Sequence, residues 1–329
     1  MVKSKISPKS INERKEKSKC DAGSVDFIDL FCGIGGFRYA IQNAAKKYGI
    51  KVKCVFSSDI DEQCQKAYAA NFGEKPFGDI TKIKENDVPA HKILLGGFPC
   101  QPFSIIGSKR GFADTRGTLF FDIARILRAK RPEAFVLENV KQLRGHAKGE
   151  TFKVILNTLR DMGYHVSYRV LNALDFGLPQ KRERIWIVGT KANIEMLWNL
   201  NKKAMTPLSA VLEKNIPQTN YVSDYIRQKR LNEVKDAPPN TIWHENKAGN
   251  ISVHPYSCAL RAGASYNYLL VDGIRRLTPR EMLRLQGFPD SFKIACTDSQ
   301  TRKQAGNSLP VSVAEEVLTM VFAALGWKR

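Results

Sequence analysis

Val25-Asp26-Phe27-Ile28-Asp29-Leu30-Phe31-Cys32-Gly33-Ile34-Gly35-Gly36-Phe37 is the stretch that decides the fold. Residues 25–31 read as a β-strand and Cys32 to Gly36 as a tight glycine-rich turn. Phe37, Ala40, Ile41 and Ala44 then recur at helical spacing. Strand, glycine turn and helix open a nucleotide-binding α/β unit, because glycines let the backbone approach a ligand at the carboxyl end of the first strand. The turn departs from G-x-G-x-x-G: Gly35 and Gly36 are adjacent, and no third glycine follows at the expected spacing. That argues against a dinucleotide and leaves room for another adenosine-bearing cofactor. An ordinary strand-to-helix turn is the competing reading.

Working outward, residues 52–56 form a second strand that ends at Ser57-Ser58-Asp59-Ile60-Asp61. An acidic residue at the end of a second strand accepts from ribose hydroxyls. Asp59 is the better placed and Asp61 the reserve, and a cap for the helix that opens at Glu62 is the alternative. Gly78-Asp79-Ile80 follows a turn-rich segment. Ile93-Leu94-Leu95 is a short buried strand that Gly96-Gly97 stops. It leads into Phe98-Pro99-Cys100-Gln101-Pro102, where two prolines stiffen the backbone around Cys100.

Residues 110–118 are rich in glycine and charge and read as a mobile loop. Leu119, Ile123, Ile126 and Leu127 give a helix that Pro132 ends. The apolar strand 134–137 runs straight into Glu138-Asn139, and a carboxylate there is costly unless it is paired or used. Strand ends are where α/β sites are built, which favours a functional Glu138 over a charge that merely emerges at the sheet edge. Gln180-Lys181-Arg182-Glu183-Arg184 precedes another strand at 185–189. Arg182 and Arg184 share parity, so in an extended segment both face one side and suit a phosphate or a pyrimidine oxygen. A solvated charged edge is the competing reading of that pair.

From about residue 192 to 274 the strand–helix alternation is lost, prolines are frequent, and Trp243, Tyr256, Tyr266 and Tyr268 are interspersed with Lys and Arg. This predicts a small, loop-rich second domain whose aromatics either stack on bases or form its core. Thr278-Pro279-Arg280-Glu281 is a helix start with a capping box, and Val313, Val317, Val321 and Phe322 mark a closing helix.

Composition narrows the partner. The 329-residue chain has 43% hydrophobic and 26% charged residues and no apolar run near the roughly 20 residues that span a bilayer. Its formal net charge of +20 calls for a polyanion, most simply nucleic acid. The seven cysteines are dispersed, without zinc spacing, so neither disulfides nor a metal site is expected and the compartment is a reducing one. Residues 1–24 read as a basic, disordered leader that adds sequence-independent phosphate attraction.

Taken in order, Asp29-Leu30-Phe31-Cys32-Gly33-Ile34-Gly35-Gly36, Pro99-Cys100-Gln101, Glu138-Asn139-Val140, Gln180-Lys181-Arg182-Glu183-Arg184, the block from Arg276-Leu277-Thr278 to Pro289, and Gly306-Asn307-Ser308 resemble the DNA (cytosine-5)-methyltransferases of bacterial restriction-modification systems. The resemblance runs from about Asp26 to the C-terminus. It implies an α/β fold: a Rossmann-like S-adenosylmethionine-dependent methyltransferase domain (25–191 plus 304–329) with a smaller, loop-rich target-recognition domain (192–303). It implies S-adenosylmethionine as cofactor, held by Phe31, Gly33, Gly35, Gly36, Asp59, Ile60, Asp79, Ile80, Leu119 and Asn307. It implies Cys100 as nucleophile toward cytosine C6, Glu138 on N3 and the amino group, and Arg184, oriented by Arg182, on O2 and nearby phosphate. The loop 110–118 would close over a flipped-out base. The family's recognition segment usually ends in a Thr-Leu pair, and here Ala259-Leu260-Arg261 stands in that place. The implied partner is double-stranded DNA, met by a monomer in the bacterial cytoplasm, with no membrane and no metal. The rivals are a tRNA cytosine methyltransferase on the same scaffold, a catalytically silent DNA-binding relative and, more distantly, a nicotinamide dehydrogenase.

Overall fold

The computed structural model describes residues 24–99 and 119–327. Residues 1–23 of the expected leader, Cys100 and Gln101 of the proline-flanked loop, and the expected closing loop at 110–118 lie outside the described residues.

The first part of the chain alternates: β1 (Ser24–Leu30), α1 (Gly36–Tyr48), β2 (Lys51–Ser58), α2 (Glu62–Phe72), β3 (Ile93–Gly97), α3 (Leu119–Lys130), β4 (Ala134–Val140), α4 (Glu150–Asp161), β5 (His165–Asn172), β6 (Gln180–Lys181) and β7 (Glu183–Thr190). Six of these strands form one sheet in the order β2-β1-β3-β4-β7-β5. β2, β1, β3 and β4 pair in parallel, whereas β7 runs antiparallel to both β4 and β5. Only residues 173–182 separate β5 from β7. A parallel neighbour needs a crossover of about a dozen residues or more, so β7 turns back instead.

The sheet is covered on both faces, as its continuous apolar strands require. Phe27, Ile93, Leu95, Val136, Trp186 and Val188 pack on the side of α1 and the closing helix. Ile28, Leu30, Leu94, Phe135, Leu137 and Ile187 pack on the side of α3 and α4. Each such fully buried side chain contributes about 1.5–3 kcal/mol. The chain leaves β1 in opposite directions toward β2 and β3, so a crevice opens at the carboxyl ends of these strands, where α/β sheets bind ligands.

Between 192 and 274, where the residue pattern predicts a loop-rich domain without strand–helix alternation, the structure has α5 (Asp224–Glu233), β8 (Ile242–Glu245), β9 (Ile251–His254), β10 (Ser257–Cys258) and β11 (Leu269–Val271). With β12 (Arg275–Arg276) they include an antiparallel sheet in the order β12-β11-β8-β9. These strands are too short for alternation to register. The aromatics divide. Trp243 and Tyr268 are buried, whereas Tyr266 is 56% exposed with Arg302 over its ring. β10 pairs with β6 and ties this segment back to the first.

The chain closes with α6 (Pro279–Leu285), α7 (Asp298–Asn307) and α8 (Val311–Ala324). The capping box of α6 is complete: Glu281 N donates to Thr278 Oγ1 at 3.1 Å and Thr278 N to Glu281 Oε2 at 2.8 Å. α7 spans the expected boundary at 303/304. Its polar sequence hides it from a periodicity search, since its buried residues are Thr301, Gln304, Ala305 and Gly306.

Candidate active site

Hydrogen bonds hold the glycine turn and the Asp59 carboxylate beside it. Cys32 N donates to Ser58 O at 3.0 Å and Gly35 N to Cys32 O at 2.8 Å. Gly33 N donates to Asp59 Oδ2 at 2.8 Å, and Asp61 N to Asp59 Oδ1 at 2.9 Å. Phe31, at the end of β1, has φ 55, a conformation costly for a bulky side chain and one that gathers at functional sites. The glycines serve different ends. A Cβ on Gly33 would meet open space, whereas one on Gly35 would lie 2.2 Å from the Phe72 ring and one on Gly36 3.0 Å from Leu309.

A cavity of about 620 Å³ lies at this edge of the sheet. Every expected cofactor residue except Gly35 lines it. Gly35 faces Phe72, and its φ of 90 with that close approach ties it to packing rather than to the cavity. Ile60 is 73% exposed there, an apolar side chain with nothing over it among the described residues. Asp59 and Asp61 separate: Asp61 caps α2, accepting from Gln63 N and Cys64 N, and pairs with Lys303 at 2.9 Å. Burial pushes the Asp59 carboxyl up, and the N–H groups of Asp61 and Gly33 pull it back. Asp79 accepts from Thr81 N and Oγ1 and starts the short turn of Ile80–Lys82. Asn307, at the end of α7, is exposed on the same wall.

The cavity continues past Gly97, Phe98 and Pro99, the residue before Cys100, to Glu138. β4 and β7 pair with Val140 opposite Arg184, which sets Arg184 beside Glu138. Arg184 Nε donates to Glu138 Oε1 at 3.0 Å, with the side chains only 13% and 12% exposed. Burial raises the Glu138 pKa, and the charges of Arg184 and then Arg182 oppose the rise. Asn139 is buried, and its Nδ2 donates to Phe98 O at 2.9 Å while its Oδ1 accepts from Val140 N at 2.8 Å. It thus fastens the entry of the Cys100 loop to the end of β4.

Arg182 is not a solvated edge. It is 2% exposed and donates to Leu260 O at 2.9 Å, Gly306 O at 3.1 Å and Ser308 O at 2.6 Å. Burial first, then the like charge of Arg184, brings its pKa down to about 9. Gln180 completes the joint, accepting from Leu260 N at 3.0 Å and donating to Leu285 O at 2.8 Å. Asn139, Gln180 and Lys303 carry no role in the sequence reading, because their contacts to Phe98, Leu260 and Asp61 are distant in sequence and leave no local periodicity.

Among the described residues the thiols of Cys32 and Cys64 line the cavity. Burial pushes both up, and the neighbouring carboxylates, Asp29 and Asp59 for Cys32 and Asp59 and Asp61 for Cys64, push them further. Neither supplies a thiolate near neutral pH. Among the described residues no group of three His, Cys, Asp or Glu side chains is placed to hold a metal ion, and no helix is long and apolar enough to cross a membrane.

The C-5 cytosine-specific DNA methylase family model matches residues 25–256 and 196–323. The chain belongs to this family. It is 55% identical over 308 residues to the Type II methyltransferase M.NgoBI of Neisseria gonorrhoeae, covering 92% of this chain and 95% of the relative. It is 55% identical over 303 residues to the Type II methyltransferase M.HaeII of Haemophilus aegyptius, covering 91% and 93%. Its fold is similar to S. pombe Dnmt2 methyltransferase, with TM-score 0.70 at 22% identity over 92% of this chain and 99% of that one. The DNA cytosine-5 methyltransferase activity and S-adenosylmethionine dependence of the family apply to this chain. The cavity suits that cofactor: open space beside Gly33 for a chain to approach, a bare Ile60 for an aromatic base and a strand-end Asp59 for hydroxyls.

Proposed function

We propose that the protein methylates C5 of a cytosine flipped out of duplex DNA through a transient bond between Cys100 Sγ and C6. C5 is a poor nucleophile in the aromatic ring. Thiolate addition at C6 moves an electron pair onto C5 and makes it enamine-like. The base must leave the stack for this, since neither ring carbon is accessible inside a duplex. Cytosine N3 accepts and its amino group donates. Glu138 presents one carboxyl oxygen to N3 and the other to the amino group, and burial, which pushes its pKa up, favours sharing a proton with N3 as charge forms on the ring. Arg184, fixed by Glu138, donates to O2. Bound S-adenosylmethionine supplies an electrophilic methyl group on a sulfonium. A solvent base takes the C5 proton, the Cys100 thiolate departs to re-form the C5–C6 double bond, and the N3 proton returns to Glu138.

The observation that carries this reading is the Glu138–Arg184 pair on the wall of the cavity that Pro99 also lines. Methyl transfer from labelled S-adenosylmethionine to DNA tests it: Cys100→Ser should abolish transfer and keep DNA binding, and full turnover would overturn it. In the same reading residues 192–274 recognise the target sequence. The protein works as a monomer in the bacterial cytoplasm and protects DNA from a partner endonuclease, a role that kinship with Type II methyltransferases supports.

A further inference from the structure

Residues 141–149 follow β4 directly, and the last residue of β4, Val140, lines the cavity. No acidic side chain lies between Glu138 and Glu150, whereas Lys141, Arg144, His146 and Lys148 do. Lys141 is neutralised by Glu183 at 2.8 Å. Arg144 and Lys148 are exposed and, among the described residues, have no ion-pair partner. The segment is nonetheless fixed. Leu143 is fully buried, His146 Nδ1 lies 2.7 Å from Thr151 Oγ1, and Ala147, Lys148 and Gly149 are consecutive left-handed residues at φ 49, 57 and 93. Two non-glycine residues in that conformation are costly, and the fold holds them there. The result is a preshaped, purely basic turn that leaves the strand whose last residue, Val140, lines the cavity.

We propose that this turn is a phosphate-binding site for the target strand, with Arg144 and Lys148 gripping the phosphodiesters beside the flipped-out cytosine. It rests on the methyltransferase reading and adds a surface to it. A base seated against Glu138 carries its own backbone past the end of β4, and the chain continues from that end directly into this turn. The contacts are to phosphate alone, so they supply affinity without sequence preference. A duplex is the fitting polyanion because the adjoining cavity takes its base.

The experiment is a salt titration of DNA binding by the full chain, on one duplex that contains the methylation site and one that lacks it. Each phosphate contact contributes about 0.9 to the slope of log K against log salt. Arg144→Gln and Lys148→Gln should each lower the slope by about 0.9, and the double variant by about 1.8, equally on both duplexes. Lys51→Gln, at the start of the edge strand β2, should leave the slope unchanged. S-adenosylmethionine affinity reports folding, and the single variants carry the test if the double variant loses it. An unchanged slope in variants that bind the cofactor overturns the proposal, as does a loss confined to the site-containing duplex. Methyl transfer by the unsubstituted protein, assayed on the same duplexes, tests the parent reading separately.

Discussion

Arg184 Nε donates to Glu138 Oε1 across 3.0 Å, and antiparallel pairing of β4 and β7 brings the two together. A strand that reverses direction thus gives the site its cation. Without it Glu138 would be a buried, unpaired carboxyl.

Glu138→Gln keeps the size and the hydrogen-bonding reach but cannot hold a transferable proton. Single-turnover methylation should fall about 10²–10⁴-fold, the usual range for loss of a general acid, while DNA affinity stays near that of the parent. A rate within a few-fold of the parent would show that Glu138 only positions the base.

Arg182 joins three carbonyls, from Leu260, Gly306 and Ser308, that lie far apart in sequence. Arg182→Ala strands these acceptors in the interior and should cost about 3–5 kcal/mol in urea unfolding, the range for breaking a buried charged network. Arg182→Lys should recover only part, because an ammonium lacks the planar fork. Equal stability of the alanine and parent proteins would contradict this role.

Asp29 has both carboxylate oxygens buried and, among the described residues, without a hydrogen-bond partner. Burial raises its pKa to about 8, against a pull from Arg38. The folded state therefore keeps a proton that the unfolded chain has released. Stability from this group is full below about pH 4 and is lost as pH rises to about 8, by up to about 1.4 kcal/mol per pH unit. Unfolding of Asp29→Asn and parent protein at pH 5 and pH 8 should show a gap that widens in favour of the variant at pH 8. Parallel profiles would contradict it.

Lys303 reaches from α7 to Asp61 at the cofactor end of the cavity. Both side chains are partly exposed, so the pair is worth only about 0.2–1 kcal/mol. Lys303→Gln and Asp61→Asn should raise the KM for S-adenosylmethionine alike, by up to about fivefold, since asparagine still caps α2. Asp61→Ala should lose about 1 kcal/mol of stability in addition. Unequal KM effects of the first two variants would mean that they do not act as a pair.

Much of this was legible in the chain. The strand, glycine turn and helix at 25–44 and the apolar strands leading to Asp59 and Glu138 are local patterns, and the cavity lies at the carboxyl edge of the sheet they form, although β4 runs on past Glu138 to Val140. The capping box at Thr278 is equally local. What stayed hidden is long-range or short. Parity put Arg182 and Arg184 on one side, but not that Arg182 spends its guanidinium on three carbonyls. The motif groups Gly35 with the cofactor glycines, and its close approach to Phe72 is a packing contact that no local pattern announces. α7 escaped notice because its buried face is largely polar.

The central claim is a covalent bond from Cys100 to cytosine C6. DNA with 5-fluorocytosine at the methylation site, incubated with the protein and S-adenosylmethionine, tests it most directly, because fluorine at C5 cannot leave as a proton and holds the thioether in place. The expected result is a denaturation-resistant protein–DNA adduct that maps to Cys100 and is absent in Cys100→Ser. Active protein that forms no adduct, or an adduct that persists in Cys100→Ser, would contradict the account.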